Sequence, residues 1–512
     1  MIEDQTEAIW SRRFWQLLGV VTLLRVGYLA VFPYDLVGDE AYYWDWGRQL
    51  DWGYFSKPPM IGWLMGFFNW LGGGTLTGIK LAPILFGAGT CIWLFLLARR
   101  MYGARAGFWT AALMMASLGN VALNVLFTID APLLFCWSGA LYVFWRLAEP
   151  GEATPRAGWA VVLILLLGCG VLSKQMMLVF WVMALIFLAI DREARGLLKH
   201  PATWLVALVA LLFLLPPLWW NWQNDWITFV HMEDHFQPGK TDLVEVLLRP
   251  VVFVLVQIAL GSPITGILLF GLLVAAVLGW RACGRRERYL LIFSVPGLVA
   301  VLILSLRQNI NPNWPAVYFP AAYALLGAWG VGAFASPKKG FERLRWLFKP
   351  GVYLGAALAV VAYAMPFAVK AGGWEGMAKD PGRRMEGWSE VGREAGAFYA
   401  DFPGGEPQLV IAGGHRHTAA ELAFYLPGQP RVYRWFPYER VESQYEIWGG
   451  PKDAHGKNAL ILWPGEVETL PEDINAAFAQ TNRLGGFTVQ PGTKNAKGFT
   501  AFAGNDFKQW KP

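Results

Sequence analysis

The chain has 512 residues, 55% hydrophobic and 16% charged, with 28 Trp and a formal net charge of +6. That is too apolar for an ordinary soluble protein, in which about a quarter of residues are charged. The basic excess sits in short loops beside apolar runs, where it meets lipid headgroups, so nucleic acid is not the implied partner. Cys91, Cys136 and Cys169 lie in apolar runs and Cys283 in a basic loop. With no CxxC spacing, they imply neither a disulfide framework nor a thiolate metal site.

In chain order, the first apolar run follows Arg12-Arg13 and is too long for a signal peptide, so it reads as a retained span. About eleven helical spans are predicted in all. They lie near 13–33, 78–98, 106–126, 131–147, 158–173, 175–190, 202–220, 258–280, 289–306, 315–334 and 351–370. The segment 58–72 suits an interfacial helix better than a span. Lys and Arg crowd every second loop, as in Arg99-Arg100, Arg192/Arg195/Lys199, Arg285-Arg286 and Lys338-Lys339. The positive-inside rule makes those loops and the amino terminus cytoplasmic. Residues 1–370 are then a transmembrane domain, and 371–512 a domain across the membrane from the basic loops, periplasmic in a Gram-negative cell. In that tail Leu409–Ala412 and Ala459–Trp463 read as buried strands, Ala419–Tyr425 as a helix and Phe487–Phe502 as a hairpin. The fold class is thus a polytopic α-helical membrane protein, with interfacial helices in its first outer loop and a small carboxy-terminal α/β domain. No internal repeat is evident, which weighs against an inverted-repeat transporter.

The outer loops hold the residues with chemical potential. The first contains Asp39-Glu40, Tyr42, Trp44, Tyr54 and Lys57-Pro58-Pro59. Asp39 and Glu40 either do chemistry or simply cap a helix starting there. Lys57, stiffened by the prolines, suits a lipid-linked phosphate or is a snorkelling lysine. Asp130, at the short turn between spans three and four, either joins the chemistry or is an N-cap, and Lys174 is a functional cation or an interfacial anchor. His231 and His235 share a helix face at i,i+4, and with Glu233 or Asp234 could hold a divalent cation, although a plain surface helix fits that spacing too. Arg307, Asn313 and Trp314 offer a cation, an amide and an aromatic face suited to a sugar ring. Together these groups describe a site for a phosphate-bearing glycan donor.

The residues resemble the membrane glycosyltransferases of the GT-C class, in the group of the protein O-mannosyltransferases and the lipid A aminoarabinose transferase (glycosyltransferase family 39-like). The elements that match are Asp39-Glu40, Tyr54-Phe55-x-Lys57-Pro58, Asp130, Lys174, Asp234-His235-x-Gln237 and Asn313-Trp314-Pro315. The stretch Asp39–Trp46 with Trp52–Pro59 is similar to lipopolysaccharide galacturonosyltransferases. The resemblance implies catalytic Asp39, with Glu40 beside it and Asp130 in support. It also implies Lys57, Tyr54, Lys174 and Arg307 on the donor phosphate, Trp44, Tyr42, Asn313 and Trp314 at the sugar or acceptor, and His235, His231 and Asp234 as candidate metal ligands. Ser56 and Tyr42 replace an acid and an arginine found in the aminoarabinose enzyme, which weakens the case for a metal and removes one phosphate contact.

The expected function is inverting transfer of one sugar from a polyprenyl-phosphate carrier to lipid A, core oligosaccharide or another envelope glycan, with Asp39 as general base. No organic cofactor is implied. The alternatives are a flippase for a lipid-linked glycan and an oligosaccharide ligase or polymerase. Arg25 is the main candidate for a charge within a span. His415, Arg416 and His417 read as an exposed turn.

Overall fold

A computed structural model describes residues 2–149, 156–235, 242–374, 377, 380, 382–438, 440–492 and 496–510, without the side chains of residues 2, 3, 156, 234 and 235. Its residues pack into two compact units, 1–31, 80–219 and 233–363 in the first, and 32–79, 220–232 and 364–512 in the second.

The first unit is helical. Among the described residues six helices of the chain are long and apolar enough to cross a bilayer, or up to seven if Ala104–Ala116 and Leu118–Val125, bent by 67°, form one span. Ala157–Ser173, Gln175–Ile190 and Pro263–Leu278 are apolar but shorter. The expected count of about eleven is therefore not confirmed. Two differences have a clear local cause. In the first helix, Ile2–Leu29, Arg12, Arg13 and Arg25 break up the apolar run. The expected span 258–280 is instead two helices, Leu243–Leu260 and Pro263–Leu278, divided at Ser262, whose φ is +78°. Leu243–Leu260 runs alongside the segment 307–312, because Arg249 donates to the Arg307 carbonyl at 3.2 Å and Gln257 to that of Pro312 at 3.1 Å.

The core of this unit is aromatic, with Trp137 and Phe144 edge to face on Phe180, and Phe187 edge to face on Tyr289. Ion pairs join the basic loops to one another. Arg99 meets Glu7 at 3.3 Å, Arg100 meets Glu149 at 2.5 Å, and Arg285 meets Asp191 at 3.0 Å. The loops that the charge count groups on one side are thus neighbours.

The second unit carries a five-stranded sheet of β1 (Leu409–Ala412), β2 (Val432–Arg434), β3 (Ala459–Pro464), β4 (Phe478–Val489) and β5 (Lys497–Phe507). Their order is β2-β1-β3-β5-β4. β1 is parallel to β2 and β3, and β5 is antiparallel to β3 and β4. The unbroken apolar runs of β1 and β3 reflect burial on both faces. The hairpin is longer than expected, and a register shift between Arg483 and Gly485 marks a bulge. Helix Arg416–Tyr425 connects β1 to β2, so the turn 413–415 leaves the carboxyl end of β1, where parallel sheets commonly place ligand-binding groups. The first-loop helices Gly38–Gly47 and Met60–Leu71 belong to this unit too.

Candidate functional site

The helix Gly38–Gly47 divides its polar residues between structure and exposure. Glu40 is fully buried, and its Oε2 accepts the Val37 N–H at 3.1 Å, closing the first turn. Trp44 is buried and donates to Asn69 at 2.6 Å, while the buried Tyr42 hydroxyl accepts the Gln444 N–H. Tyr54 is fully buried against Trp46, ring centroids 4.5 Å apart, and its hydroxyl bonds to the Trp46 and Gln49 carbonyls. These aromatics build the wall on which the site stands. Burial and internal hydrogen bonds occupy their polar atoms.

Asp39, by contrast, keeps 53% of its side chain exposed, and its Oδ1 lies 3.1 Å from His417 Nε2. Partial burial pushes the Asp39 carboxyl up, but the His417 bond and the charges of His417, Arg416 and Lys57 outweigh it and hold the group below its ordinary value. Asp39 is therefore ionised at neutral pH. Lys57 is fixed by paired backbone bonds with Tyr54 at 3.1 and 3.3 Å, just before Pro58-Pro59 starts the next helix. Arg416 lies over the Tyr42 ring, 5.7 Å from its centroid. Burial and the neighbouring cations lower His415 to about 4, so it is neutral, and its Nδ1 accepts the His417 N–H at 3.3 Å as a helix cap. The turn 415–417, expected from sequence to be an exposed turn, is thus a partner of Asp39.

The first unit holds a second polar cluster. Asp130, 2% exposed, opens the helix Asp130–Ala148 and accepts from Lys174 Nζ at 2.8 Å and from Asn313 Nδ2 at 2.6 Å. Three expected residues from three loops therefore meet. Asp130 and Asn313 also line a mostly apolar cavity of about 330 Å³, whose polar side includes Asn120, Thr128 and Gln257. Arg25 is buried and donates to Asn120 at 3.3 Å.

Other expected residues are placed less tellingly. Arg307 is exposed, and Trp314 half-buried. His231 packs on Phe55, ring centroids 4.6 Å apart. The side chains of Asp234 and His235, and all of Gln237, lie outside the described residues. Among the described residues no group of three His, Cys, Asp or Glu could hold a metal ion.

Residues 56–220 match the family described as dolichyl-phosphate-mannose-protein mannosyltransferase. The chain is 29% identical over 457 residues to the lipid A galacturonosyltransferase RgtD of Rhizobium johnstonii, covering 88% of this chain and 90% of the relative. It is 26% identical over 520 residues to the lipopolysaccharide core galacturonosyltransferase RgtA of the same organism, covering 96% and 95%. A 167-residue stretch, 32% of this chain and 30% of the relative, is 30% identical to the undecaprenyl phosphate-alpha-4-amino-4-deoxy-L-arabinose arabinosyl transferase of Pseudomonas aeruginosa. In fold, the chain matches ArnT from Cupriavidus metallidurans bound to undecaprenyl phosphate, with a TM-score of 0.62 and 19% identity, covering 96% of this chain and 98% of that one.

Proposed function

We propose that this chain, which resembles the GT-C transferases of the protein mannosyltransferase group and the lipopolysaccharide galacturonosyltransferases, moves a single sugar from a polyprenyl-phosphate carrier to a lipid A or core-oligosaccharide acceptor. The observation that carries this reading is the exposed, ionised Asp39 held 3.1 Å from His417, with Lys57 and Arg416 near enough for their charges to act on it. An acceptor hydroxyl needs a base, and the departing phosphate needs cations; this arrangement supplies both.

In the proposed reaction the acceptor oxygen bonds to the anomeric carbon as the bond from that carbon to the phosphate oxygen breaks. The hydroxyl proton passes to Asp39. The carrier leaves as a polyprenyl phosphate, its added charge stabilised by Lys57 with Arg416. A single displacement inverts the anomeric centre. With a phosphate acceptor no base is required, and Asp39 would orient the acceptor instead. Lys174, paired with Asp130 at the polar edge of the apolar cavity that Asp130 and Asn313 line, is a further candidate for a prenyl-phosphate headgroup. The basic loops are read as cytoplasmic, which gives the 371–512 segment to the periplasmic side of the inner membrane.

Mass spectrometry of lipid A and envelope glycans from cells with and without the gene tests the reading. Loss of one monosaccharide from a single glycan class is the expected result. Unchanged glycans with lipid-linked sugar accumulating on the cytoplasmic leaflet would replace transfer with flipping.

A further inference from the structure

We infer that His417 is the positioning residue for Asp39, so that the segment after the last membrane helix completes the site rather than decorating it. This rests on the proposed role of Asp39 and adds to it a residue 378 positions away in sequence.

The contact is built into the packing of the second unit. The helices Gly38–Gly47 and Arg416–Tyr425 lie against each other through Trp44 and Phe424, whose ring centroids are 4.9 Å apart. The Tyr425 hydroxyl accepts the Leu36 N–H at 2.7 Å, just before the first of these helices. At their meeting point Gly38 is needed for its size. A Cβ there would come within 2.5 Å of the His417 ring. His415 caps the second helix on the His417 N–H, which fixes the backbone from which the imidazole projects.

The chemistry assigns the proton. An ionised carboxylate can only accept, so His417 Nε2 carries the hydrogen and donates it to Oδ1. That leaves Oδ2 for the acceptor hydroxyl and fixes the carboxylate plane, much as a buried carboxylate orients a catalytic imidazole with the roles reversed. The other titratable groups facing Asp39 are Lys57 from the Tyr54–Lys57 turn, and Arg416 and the neutral His415 from the β1–helix turn. Glu40, on its own helix, is turned to the Val37 N–H.

The test compares His417→Ala and His417→Gln with Asp39→Asn in full-length protein, purified in detergent and checked for monodispersity. Transfer is measured from a synthetic polyprenyl-phosphate sugar to lipid A. His417→Ala is expected to lower kcat by roughly 10- to 150-fold, the worth of one hydrogen bond to a charged group, while the donor KM stays near its original value. The acid limb of the rate profile should move to higher pH, because Asp39 loses its main stabilising partner. His417→Gln restores an N–H donor and should recover part of kcat. Wild-type kcat and an unmoved acid limb in His417→Ala, with Asp39→Asn inactive, would overturn the inference and leave the role of Asp39 standing. A slow His417→Ala whose acid limb stays in place would also overturn it, since mere misfolding predicts that. Full activity of Asp39→Asn would remove the underlying reading, and the inference with it.

Discussion

Gly38→Ala perturbs the Asp39–His417 pair without replacing either residue. The new Cβ would lie 2.5, 2.6 and 2.7 Å from three atoms of the His417 side chain. Ordinary carbon contacts begin near about 3.5 Å, so the imidazole must retreat by about 1 Å. The 3.1 Å bond to Asp39 would then stretch to about 4 Å, beyond hydrogen-bond range. Losing a bond to a charged group costs about 1.5–3 kcal/mol, or roughly 10- to 150-fold in kcat. Overpacking would take about 1–3 kcal/mol from stability, offset in part by the helix preference of Ala over Gly of about 1 kcal/mol. The assay is single-sugar transfer at saturating donor, with thermal unfolding in detergent as the control. Because the effect runs through His417, Gly38→Ala combined with His417→Ala should be no slower than His417→Ala alone. A folded Gly38→Ala enzyme with unchanged kcat, or a double variant showing the full product of both losses, would refute the reasoning.

Three further outcomes follow from the geometry. Lys57→Ala should raise the KM for the lipid-linked donor more than it alters acceptor use, and unchanged donor kinetics would remove Lys57 from the phosphate site. Lys174→Met leaves the 2%-exposed Asp130 carboxylate without its cation and should cost about 3–5 kcal/mol in unfolding experiments. Adding Asp130→Leu to that variant should recover part of the loss, and an equal or greater loss would deny the pairing its weight. Asp39 must be ionised to act as base and is held below the ordinary carboxylate range, so activity falls only as pH drops through that lowered value. Transfer should therefore persist to about pH 5, and a half-loss near pH 6 would contradict the electrostatics.

The residues legible in sequence were those whose surroundings announce them. Lys57 precedes two prolines, and Asp130 and Lys174 stand at tight turns between apolar runs. The structure gives the latter two a common partner in each other. The strands Leu409–Ala412 and Ala459–Pro464 were also evident, because a strand buried on both faces is an unbroken apolar run. Tyr42, Trp44 and Tyr54 are ambiguous in sequence for the opposite reason. Aromatics that suit a headgroup or sugar suit an interior equally well, and only the fold reveals which. Leu243–Leu260 was hidden by Glu245, Arg249 and Pro250, which break a run otherwise apolar enough to span. His417 was lost to distance, although one local signal pointed to it. A buried strand, two glycines and a helix form a βα turn, and reading that unit as a whole would have marked 413–417 as a site for function.

The most direct test is transfer by purified protein reconstituted in liposomes with a polyprenyl-phosphate sugar and lipid A. Wild-type protein should add the mass of one monosaccharide to the acceptor and release one polyprenyl phosphate per sugar moved. Asp39→Asn, equally folded, should be slower by about a hundredfold or more. Equal product from both proteins, or donor carried across the bilayer with no product from either, would contradict the account.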